Sequence, residues 1–369
     1  MKKIYHLASF NGNYGDKISH LGIYNILNNY DVEIEKEEIR EYYTNSKLKK
    51  SFNQEFVDKI NNFDLFILGG GGFFDYWVDE SNTGTTFNIT IELFRKIKVP
   101  IFFSSLGAKP HKNIPPGNKE KFKLFLQEIE KKNNCFYFLR NDGTKENLVN
   151  NFNINLNSTF ISSFDNAFFN KNFFRKKALN IKQSYVIINI AHDQLLMRET
   201  YDNDFSVSDF YLNFSKVIDY LSKNYNILFA LHIPTDVTFV QNILNLLSPN
   251  ILKNKVYIGE YGPSLTITKK IIKSYNNAEF ILAGRYHSNI TGFLCNTKTI
   301  GVPILSRVSA LHKSVNSDGC LTHPYKNILK EVKIIRKKNE LINYQKLKNS
   351  IFNEKKKIVR VLDKILLDD

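Results

Sequence analysis

The chain has 369 residues, 43% of them hydrophobic, and its 51 Lys and Arg against 36 Asp and Glu give a formal net charge of +15. This apolar content excludes an intrinsically disordered chain, and the length favours two α/β domains over one core. The three cysteines, Cys135, Cys295 and Cys320, are far apart and lack CxxC spacing, which argues against zinc and against a disulfide framework. We therefore expect a globular protein of a reducing cytoplasm.

The N-terminal segment, MKKIYHLASFNGNYGD, begins like a signal peptide, but His6 interrupts its apolar stretch and no cleavage site follows. No segment approaches the roughly 20 uninterrupted apolar residues of a membrane span. We expect no export, and a cytoplasmic protein that is soluble or at most peripheral on the inner membrane face.

Basic residues cluster in the last fifth of the chain, at Lys326 to Lys338, Lys346 to Lys348 and Lys355 to Lys357. Charge runs are usually solvated helix faces, but they also suit an anionic lipid or polymer, and both interpretations stay open. No element of the sequence reads a nucleotide base, so we expect no nucleic-acid partner.

Short apolar runs alternate with amphipathic stretches in the first half of the chain, a pattern typical of β-α repeats around a parallel sheet. The predicted strands are Ile4 to Ser9, Val32 to Ile39, Leu65 to Leu68, Ile101 to Ser105, Cys135 to Leu139 and Thr159 to Ser162. The predicted helices are Ile18 to Leu27, Gln54 to Ile60, Ile89 to Ile97 and Lys119 to Lys131.

The second half repeats this alternation. The predicted strands are Tyr185 to Ile190, Asn226 to Leu231, Val256 to Ile258, Phe280 to Ala283 and Thr299 to Val302. The predicted helices are Ser208 to Ser222, Val237 to Leu247, Ser264 to Tyr275 and Asn289 to Cys295, with one or two more within Glu340 to Leu367. A basic, polar stretch from Asn170 to Gln183 places the domain boundary, so we predict Rossmann-like domains at 1–175 and 176–325, followed by C-terminal helices at 326–369.

Asn13, Gly15 and Asp16 follow the first predicted strand and open the first helix. Such a turn brings backbone N–H groups to the carboxyl edge of the sheet, where ligands bind in open α/β folds. For Asp16 an ordinary N-cap is favoured over a ligand contact, because Asp is a preferred capping residue.

Four glycines, Gly69 to Gly72, end the third predicted strand, and Gly107 ends the next one in a similar small-residue turn. A turn without Cβ atoms at Gly70, Gly71 and Gly72 lets the backbone approach a phosphate or a sugar closely. The motif is neither a P-loop nor a dinucleotide fingerprint, and a purely structural tight turn explains it about as well.

The most informative stretch runs from Gly284 to Ser288, directly after the predicted strand Phe280 to Ala283. Arg285 offers a planar fork of donors for a carboxylate or phosphate, and His287 can take or give a proton near neutral pH. The alternative is a helix cap by Ser288 with His287 packed in a satisfied site.

Two further polar groups follow predicted strands. Arg140 could hold an anion or could merely pair with Asp142. His232 could shape an acceptor site, or it could cap the helix that begins near Asp236. No Ser-His-Asp order, HExxH motif or metal-binding cluster has usable spacing, so hydrolase and metalloenzyme functions have little support and we expect no metal or cofactor.

Taken in order, these motifs resemble the polysaccharide pyruvyl transferase family over roughly residues 5 to 315. The resemblance rests on Asn13 to Asp16, Leu68 to Phe73, Ser105 to Gly107, Arg140 to Thr144, Asp165 to Ala167, Arg285 to Ser288 and Gly301 to Pro303. The chain departs from the family pattern at Arg140-Asn141-Asp142, where Asp usually follows Arg directly, and after Asp165, where Pro is usual.

The resemblance implies an α/β, GT-B-like fold of two Rossmann-like domains with parallel sheets facing a central cleft. It implies a transferase of surface polysaccharide biosynthesis, in the cell envelope or capsule, with phosphoenolpyruvate as co-substrate and a saccharide, often lipid-linked or polymeric, as acceptor. His287 would then be the acid/base residue, and Arg285 and Arg140 the donor-anion contacts. Asn13, Gly15, Asp16, Gly70, Gly71, Gly72, Gly107, Arg140, His232, Tyr286 and Ser288 complete the predicted substrate-binding set.

Two other functions stay open. A glycosyltransferase or sialyltransferase-like enzyme of the same architecture would use a nucleotide sugar in place of phosphoenolpyruvate. A non-catalytic saccharide-binding protein would keep the fold and bind glycan without forming a product.

Overall fold

The computed structural model describes residues 1–43, 46, 48, 50–170, 184–338 and 342–367. These residues form eleven strands in two all-parallel sheets, together with fourteen α-helices. The chain divides into two compact units: the first comprises Met1–Asn11, Ile18–Asn170 and Lys348–Asp369, and the second comprises Gly12–Lys17 and Lys171–Leu347.

The first unit contains a six-stranded sheet of order β2-β1-β3-β4-β5-β6. Its strands are β1 (Lys2–Ala8), β2 (Val32–Glu38), β3 (Leu65–Gly69), β4 (Ile101–Leu106), β5 (Cys135–Leu139) and β6 (Phe160–Ser162). Its helices are α1 (Tyr14–Leu27, from Ile18 onward), α2 (Gln54–Ile60), α3 (Ile91–Arg95), α4 (Asn118–Lys131) and α5 (Thr144–Phe152). Strands β3, β4 and β5 are buried along their whole length, as parallel strands covered on both faces should be.

The second unit contains a five-stranded sheet of order β11-β10-β7-β8-β9. Its strands are β7 (Tyr185–Asn189), β8 (Asn226–Phe229), β9 (Val256–Ile258), β10 (Phe280–Ala283) and β11 (Lys298–Gly301). Its helices are α6 (His192–Glu199), α7 (Val207–Ser222), α8 (Asp236–Leu244), α9 (Pro249–Lys255), α10 (Leu265–Asn277), α11 (Tyr286–Leu294), α12 (Ser306–Ser314) and α13 (Ile328–Lys337). The last helix, α14 (Tyr344–Leu366), lies in the first unit from Lys348 onward.

All eleven predicted strands are present, each within two residues of its predicted ends. Helices α5, α6, α9 and α12 have no counterpart among the predicted helix ranges. The predicted helix starts also differ, because α1 begins at Tyr14 and α11 at Tyr286, four and three residues earlier than expected. Asp16 and Ser288 therefore lie inside the first turns of their helices and do not occupy the N-cap positions proposed for them.

The predicted boundary between 175 and 176 lies outside the described residues. The two-unit division assigns 348–369 to the first unit and α13 to the second, whereas the sequence placed both in a separate segment at 326–369. Residues 12–17, predicted in the N-terminal domain, group with the second unit.

The three cysteines are buried, Cys135 in the first unit and Cys295 and Cys320 in the second. Burial raises the pKa of the Cys135 thiol to about 12 and that of Cys320 to about 11, and it also raises the pKa of Cys295. Among the residues described, no helix is long and apolar enough to cross a membrane, and no group of three or more His, Cys, Asp or Glu is arranged to hold a metal ion.

Candidate active site

Polar side chains follow three neighbouring strands of the second sheet, β10, β7 and β8, at their carboxyl ends. Asp193 lies in the first turn of α6 after β7, His232 and Asp236 follow β8, and Arg285 follows β10. Because parallel strands end at the same edge, these side chains meet where open α/β sheets bind their ligands.

The guanidinium of Arg285 is held by two carboxylates. Its Nε donates to Oδ1 of Asp236 at 2.8 Å, and its Nη2 donates to the same oxygen and to Oδ1 of Asp193 at 2.7 Å. Burial opposes the charged form, but Asp236 and then Asp193 outweigh it and raise the pKa of Arg285. No described hydrogen bond uses Nη1, so this end of the fork remains available to an anion.

Asp236 also makes the hydrogen bonds at the start of α8, where the sequence left open whether His232 caps the helix. Its Oδ2 accepts hydrogen bonds from the backbone N–H groups of His232 (2.8 Å) and Ile233 (3.3 Å), so Asp236 itself orders the start of α8. One buried carboxylate thus fixes both the turn after β8 and the orientation of Arg285. The side chain of His232 is left for other contacts.

His232 belongs to a buried chain of hydrogen bonds. The hydroxyl of Tyr275 lies 2.9 Å from Nε2 of His232 and 2.8 Å from Oγ of Ser288. Burial, followed by the charges of Arg285 and His287, lowers the pKa of His232 well below its usual 6.5. His232 is therefore a neutral imidazole at neutral pH, and its contacts fix Tyr275 and Ser288 behind the start of α11.

The segment 12–17 packs against these residues within the second unit. The backbone N–H of Tyr14 donates to the carbonyl of His232 at 3.0 Å, and the two rings lie 4.2 Å apart between centroids. The hydroxyl of Tyr14 lies 3.0 Å from Oγ1 of Thr291 on α11. These contacts place the N-terminus of α1 beside the N-terminal turn of α11.

Gly15, at the start of α1, lies directly against His287 of α11. A Cβ at this position would lie 2.2 Å from Nδ1 of His287, closer than any real contact, so only glycine fits while His287 keeps its place. Its own N–H donates to Oδ1 of Asn13 at 2.8 Å. His287 is half-buried here, in contact with Tyr286 in an edge-on ring arrangement.

Sequence reasoning missed three residues of this site: Lys17, Asp193 and Tyr275. Lys17, the fourth residue of α1, is half-buried. Burial lowers the pKa of its ammonium group, and the nearby Asp16 partly offsets this effect. Its position directly after the predicted Asn13 to Asp16 motif could have identified it as a candidate. Nothing in the sequence identified Asp193 or Tyr275, because α6 was not predicted and Tyr275 lies at the end of an ordinary amphipathic helix.

Arg140 lies in the first unit, immediately after β5, and only 3% of its side chain is exposed. Its Nε donates to Oδ2 of Asp142 at 2.8 Å, Nη2 contacts the same oxygen, and Nη1 lies 3.8 Å from Oδ2 of Asp165. Of the two interpretations drawn from the sequence, pairing with Asp142 is the one seen. The donor-anion role of Arg140 stays a prediction.

Two of the predicted glycines of the first unit, Gly72 and Gly107, lie beside this ion pair. The N–H of Gly107 donates to the carbonyl of Gly71 at 2.8 Å, joining the turns after β4 and β3. A Cβ on Gly107 would lie 2.5 Å from Nη2 of Arg140, and one on Gly72 would lie 3.0 Å from Oδ2 of Asp75. Gly70 has φ of +92°, a conformation that favours glycine.

The structure thus gathers the predicted site residues into two sets, one in each unit. Asn13, Gly15, Asp16, His232, Arg285, Tyr286, His287 and Ser288 belong to the second unit, and Gly70, Gly71, Gly72, Gly107 and Arg140 to the first. The set in the second unit contains the half-buried His287 and Arg285, whose Nη1 makes no described hydrogen bond, so this set is the candidate for the chemistry.

Solved structures resemble this chain over nearly its whole length. They include the UDP-GlcNAc 2-epimerase of Methanocaldococcus jannaschii (TM-score 0.58, 16% identity, 99% of this chain and 100% of that one). S. aureus MnaA, solved with UDP, gives a TM-score of 0.61 at 13% identity over 99% and 97% of the two chains. A glycosyltransferase from Rickettsia africae gives 0.59 at 11% identity over 100% and 99%.

At these identities the likeness shows the fold alone, and it confirms the predicted GT-B-like class of two Rossmann-like units. No protein of curated function matches the chain by sequence. The family profile described as Polysaccharide pyruvyl transferase, however, matches residues 13–306, which include every predicted site residue. The chain therefore belongs to the polysaccharide pyruvyl transferase family.

Proposed function

We propose that this transferase moves the enolpyruvyl carbons of phosphoenolpyruvate onto two hydroxyls of a saccharide, forming a pyruvate ketal. The observation that carries the proposal is that two groups occur at one sheet edge. One is the half-buried His287, and the other is the guanidinium of Arg285, which two carboxylates orient while its Nη1 makes no described hydrogen bond. A proton-transfer group and an anion-binding fork are what an anionic enol ester donor requires.

The proposed reaction balances without a redox step. One saccharide hydroxyl adds to C2 of phosphoenolpyruvate, and the methylene carbon gains a proton to become a methyl group. The C2–O bond to phosphate then breaks, inorganic phosphate leaves, and the second hydroxyl adds to C2 to close the ketal. Of the two hydroxyl protons, one is accounted for on the methyl carbon and the other on the phosphate.

In this scheme His287 acts as the general acid that protonates the methylene carbon, or as the general base that takes the first hydroxyl proton. Either role is worth about 10²- to 10⁴-fold in rate. The N-terminal turn of α11 carries His287, and helix N-termini favour anions.

Binding of the donor needs more positive charge than Arg285 alone provides, because Asp236 and Asp193 already offset it. Lys17 lies in the same unit, half-buried, with Nζ 3.3 Å from the carbonyl of Gly262. We assign it a supporting role in holding the phosphate or carboxylate. Nη1 of Arg285 makes the directional contact.

Phosphoenolpyruvate itself is the probe for the first test, in a thermal-shift titration of the wild type and of Arg285→Lys. The variant keeps the charge facing Asp236 and Asp193 but loses the planar fork, so the fold should survive. We expect a saturable stabilisation of the wild type and a dissociation constant about 10- to 100-fold weaker in the variant, the equivalent of one charge-assisted hydrogen bond. No shift in the wild type would refute the donor assignment.

Turnover tests the role of His287, measured as phosphate release from phosphoenolpyruvate with a panel of oligosaccharide acceptors. We expect His287→Gln to bind the donor normally but to lose about 10²- to 10⁴-fold in rate. His323→Gln, at an exposed histidine of the same unit, is the matched control and should keep wild-type rates. Wild-type turnover by His287→Gln would rule out the acid/base assignment.

A nucleotide-sugar enzyme is the second candidate, favoured by the fold shared with S. aureus MnaA, solved with UDP, and with UDP-GlcNAc 2-epimerases. The same titration with UDP-GlcNAc discriminates the two. Stabilisation by UDP-GlcNAc and none by phosphoenolpyruvate would favour this function over pyruvyl transfer.

A further inference from the structure

The final helix, α14, is held in the first unit by its inner face. Ile351, Ile358, Leu362 and Leu366 are buried. The hydroxyl of Tyr30 donates to Oδ1 of Asp363 at 2.7 Å, and Nζ of Lys357 donates to the carbonyl of Ser162 at 3.2 Å. These contacts fix which side of the helix faces outward.

The outward side of α14 carries Phe352, Lys356, Arg360 and Lys364 at four-residue spacing, so they lie on one helical face about 18 Å long. All four are exposed, and Leu367 follows at the end with 64% exposure. We call this set the α14 face.

The acidic residues of α14 do not lie on this face. Both are only partly exposed and are committed within the unit, Glu354 to Lys357 at 2.8 Å and Asp363 to Tyr30. Every charged residue that is fully exposed on the described part of α14 is a cation. Among the residues that the structure describes, the α14 face therefore presents three cations and no carboxylate.

An exposed aromatic ring lies among these cations. Phe352 is 57% exposed, and Nζ of Lys356 lies 4.4 Å from its ring centroid. A single exposed apolar side chain is common on soluble proteins, but a ring with cations beside it suits the boundary between headgroups and acyl chains, where the cations lie at the level of the phosphates.

Helix α4 of the same unit is the natural contrast. It also exposes a large apolar side chain, Leu124 at 58%, and three lysines, Lys119, Lys121 and Lys123. Its exposed surface, however, includes Glu120 and Glu130. The α14 face therefore differs from an ordinary lysine-rich surface by excluding acidic residues and by combining its cations with an aromatic ring.

We propose that the α14 face docks the protein on a membrane surface that contains anionic lipid. The charge complementarity and the exposed Phe352 select this partner over an acidic polymer, which needs no apolar insertion. The inference stands apart from the donor and the site chemistry. It does give the enzyme a position from which a lipid-linked saccharide would be in reach.

Co-sedimentation of the full chain with vesicles tests the proposal. We compare phosphatidylcholine vesicles with vesicles that also contain phosphatidylglycerol, at low and high salt. We expect binding to the anionic vesicles only, weakened by salt. The triple variant Lys356→Gln, Arg360→Gln, Lys364→Gln should bind about 100-fold more weakly, at about fivefold per cation.

The matched control is the triple variant Lys119→Gln, Lys121→Gln, Lys123→Gln, which removes the same charge from α4. The variant Phe352→Ser, which removes the exposed ring of α14, is compared in the same assay with Leu124→Ser, which removes the exposed leucine of α4. Equal losses in the two triple variants, or none in either, would overturn the proposal, as would a wild type that fails to bind anionic vesicles. A wild-type dimer that the α14 variants dissociate would assign the face to a second copy of the chain and also overturn it.

Discussion

Arg140 and Arg285 follow parallel strands in their respective units, and each contacts two carboxylates, yet their surroundings differ. Arg140 is 3% exposed and directs all three guanidinium nitrogens at Asp142 and Asp165. Arg285 is 12% exposed, its Nη1 makes no described hydrogen bond, and one partner, Asp193, is 35% exposed. Similar positions after a strand can therefore hold an arginine whose nitrogens are all directed at carboxylates, or one whose Nη1 makes no described hydrogen bond, and the partners decide which.

We expect the largest difference between the two arginines when the positive charge of each one is removed. Arg140→Met leaves Asp142 and Asp165 buried without their cation and should lower the free energy of unfolding by about 3–5 kcal/mol, measured by urea denaturation. Arg285→Met should cost less, because Asp193 can be solvated and the buried Asp236 keeps the backbone N–H donors of His232 and Ile233. Equal losses would show that the two arginines are equally structural.

A smaller effect is expected from adding one methyl group beside each cluster. Gly107→Ala pushes a Cβ against Nη2 of the immobile Arg140 and should destabilise the fold by about 1–3 kcal/mol. Gly15→Ala meets His287, which is half-buried and can rotate away, so we expect a smaller stability loss but a loss of turnover similar to that of His287→Gln. Thermal unfolding and phosphate release measure the two quantities. The interpretation fails if Gly15→Ala keeps full turnover.

The smallest effect distinguishes the clusters by pH. His232 is neutral in the fold, since burial and then Arg285 and His287 lower its pKa well below 6.5. The unfolded chain therefore binds more protons than the folded one below pH 6.5, and stability falls as the pH drops through that value. The slope from this residue approaches about 1.4 kcal/mol per pH unit. His232→Asn should reduce the slope of unfolding free energy between pH 6.5 and 5, by about half that amount at pH 6.5 and by nearly all of it at pH 5, and an unchanged slope would contradict a neutral His232.

The strands were predictable from sequence because apolar runs such as Phe280 to Ala283 are short, continuous and bounded by small or polar residues. Helix starts were less predictable. α11 begins at Tyr286 with Arg285 as its N-cap residue, and no side-chain cap bond marks that position. The helix α6 was missed because its first residues, His192 to Gln194, are polar and follow the strand after only two residues.

The sequence could point to candidate site residues where a motif stood beside a strand, as Arg285 and His287 do. It was not predictable where long-range contacts decide the role. Asp236 contacts Arg285 across 49 residues, and Asp193 does so across 92. Only the folded arrangement shows that the same two carboxylates orient the guanidinium of Arg285 and offset its positive charge. The contact of Arg140 with Asp165 is likewise seen only in the fold.

The buried cysteines provide a separate internal reporter for each unit. Cys135 lies on β5 of the first unit, and Cys295 ends α11 of the second, and their raised pKa values suppress the reactive thiolate in the folded state. A thiol-alkylating reagent should therefore modify each one only when its own unit opens. Peptide-resolved labelling rates would give the local opening equilibrium of the two sheets separately, without any engineered probe.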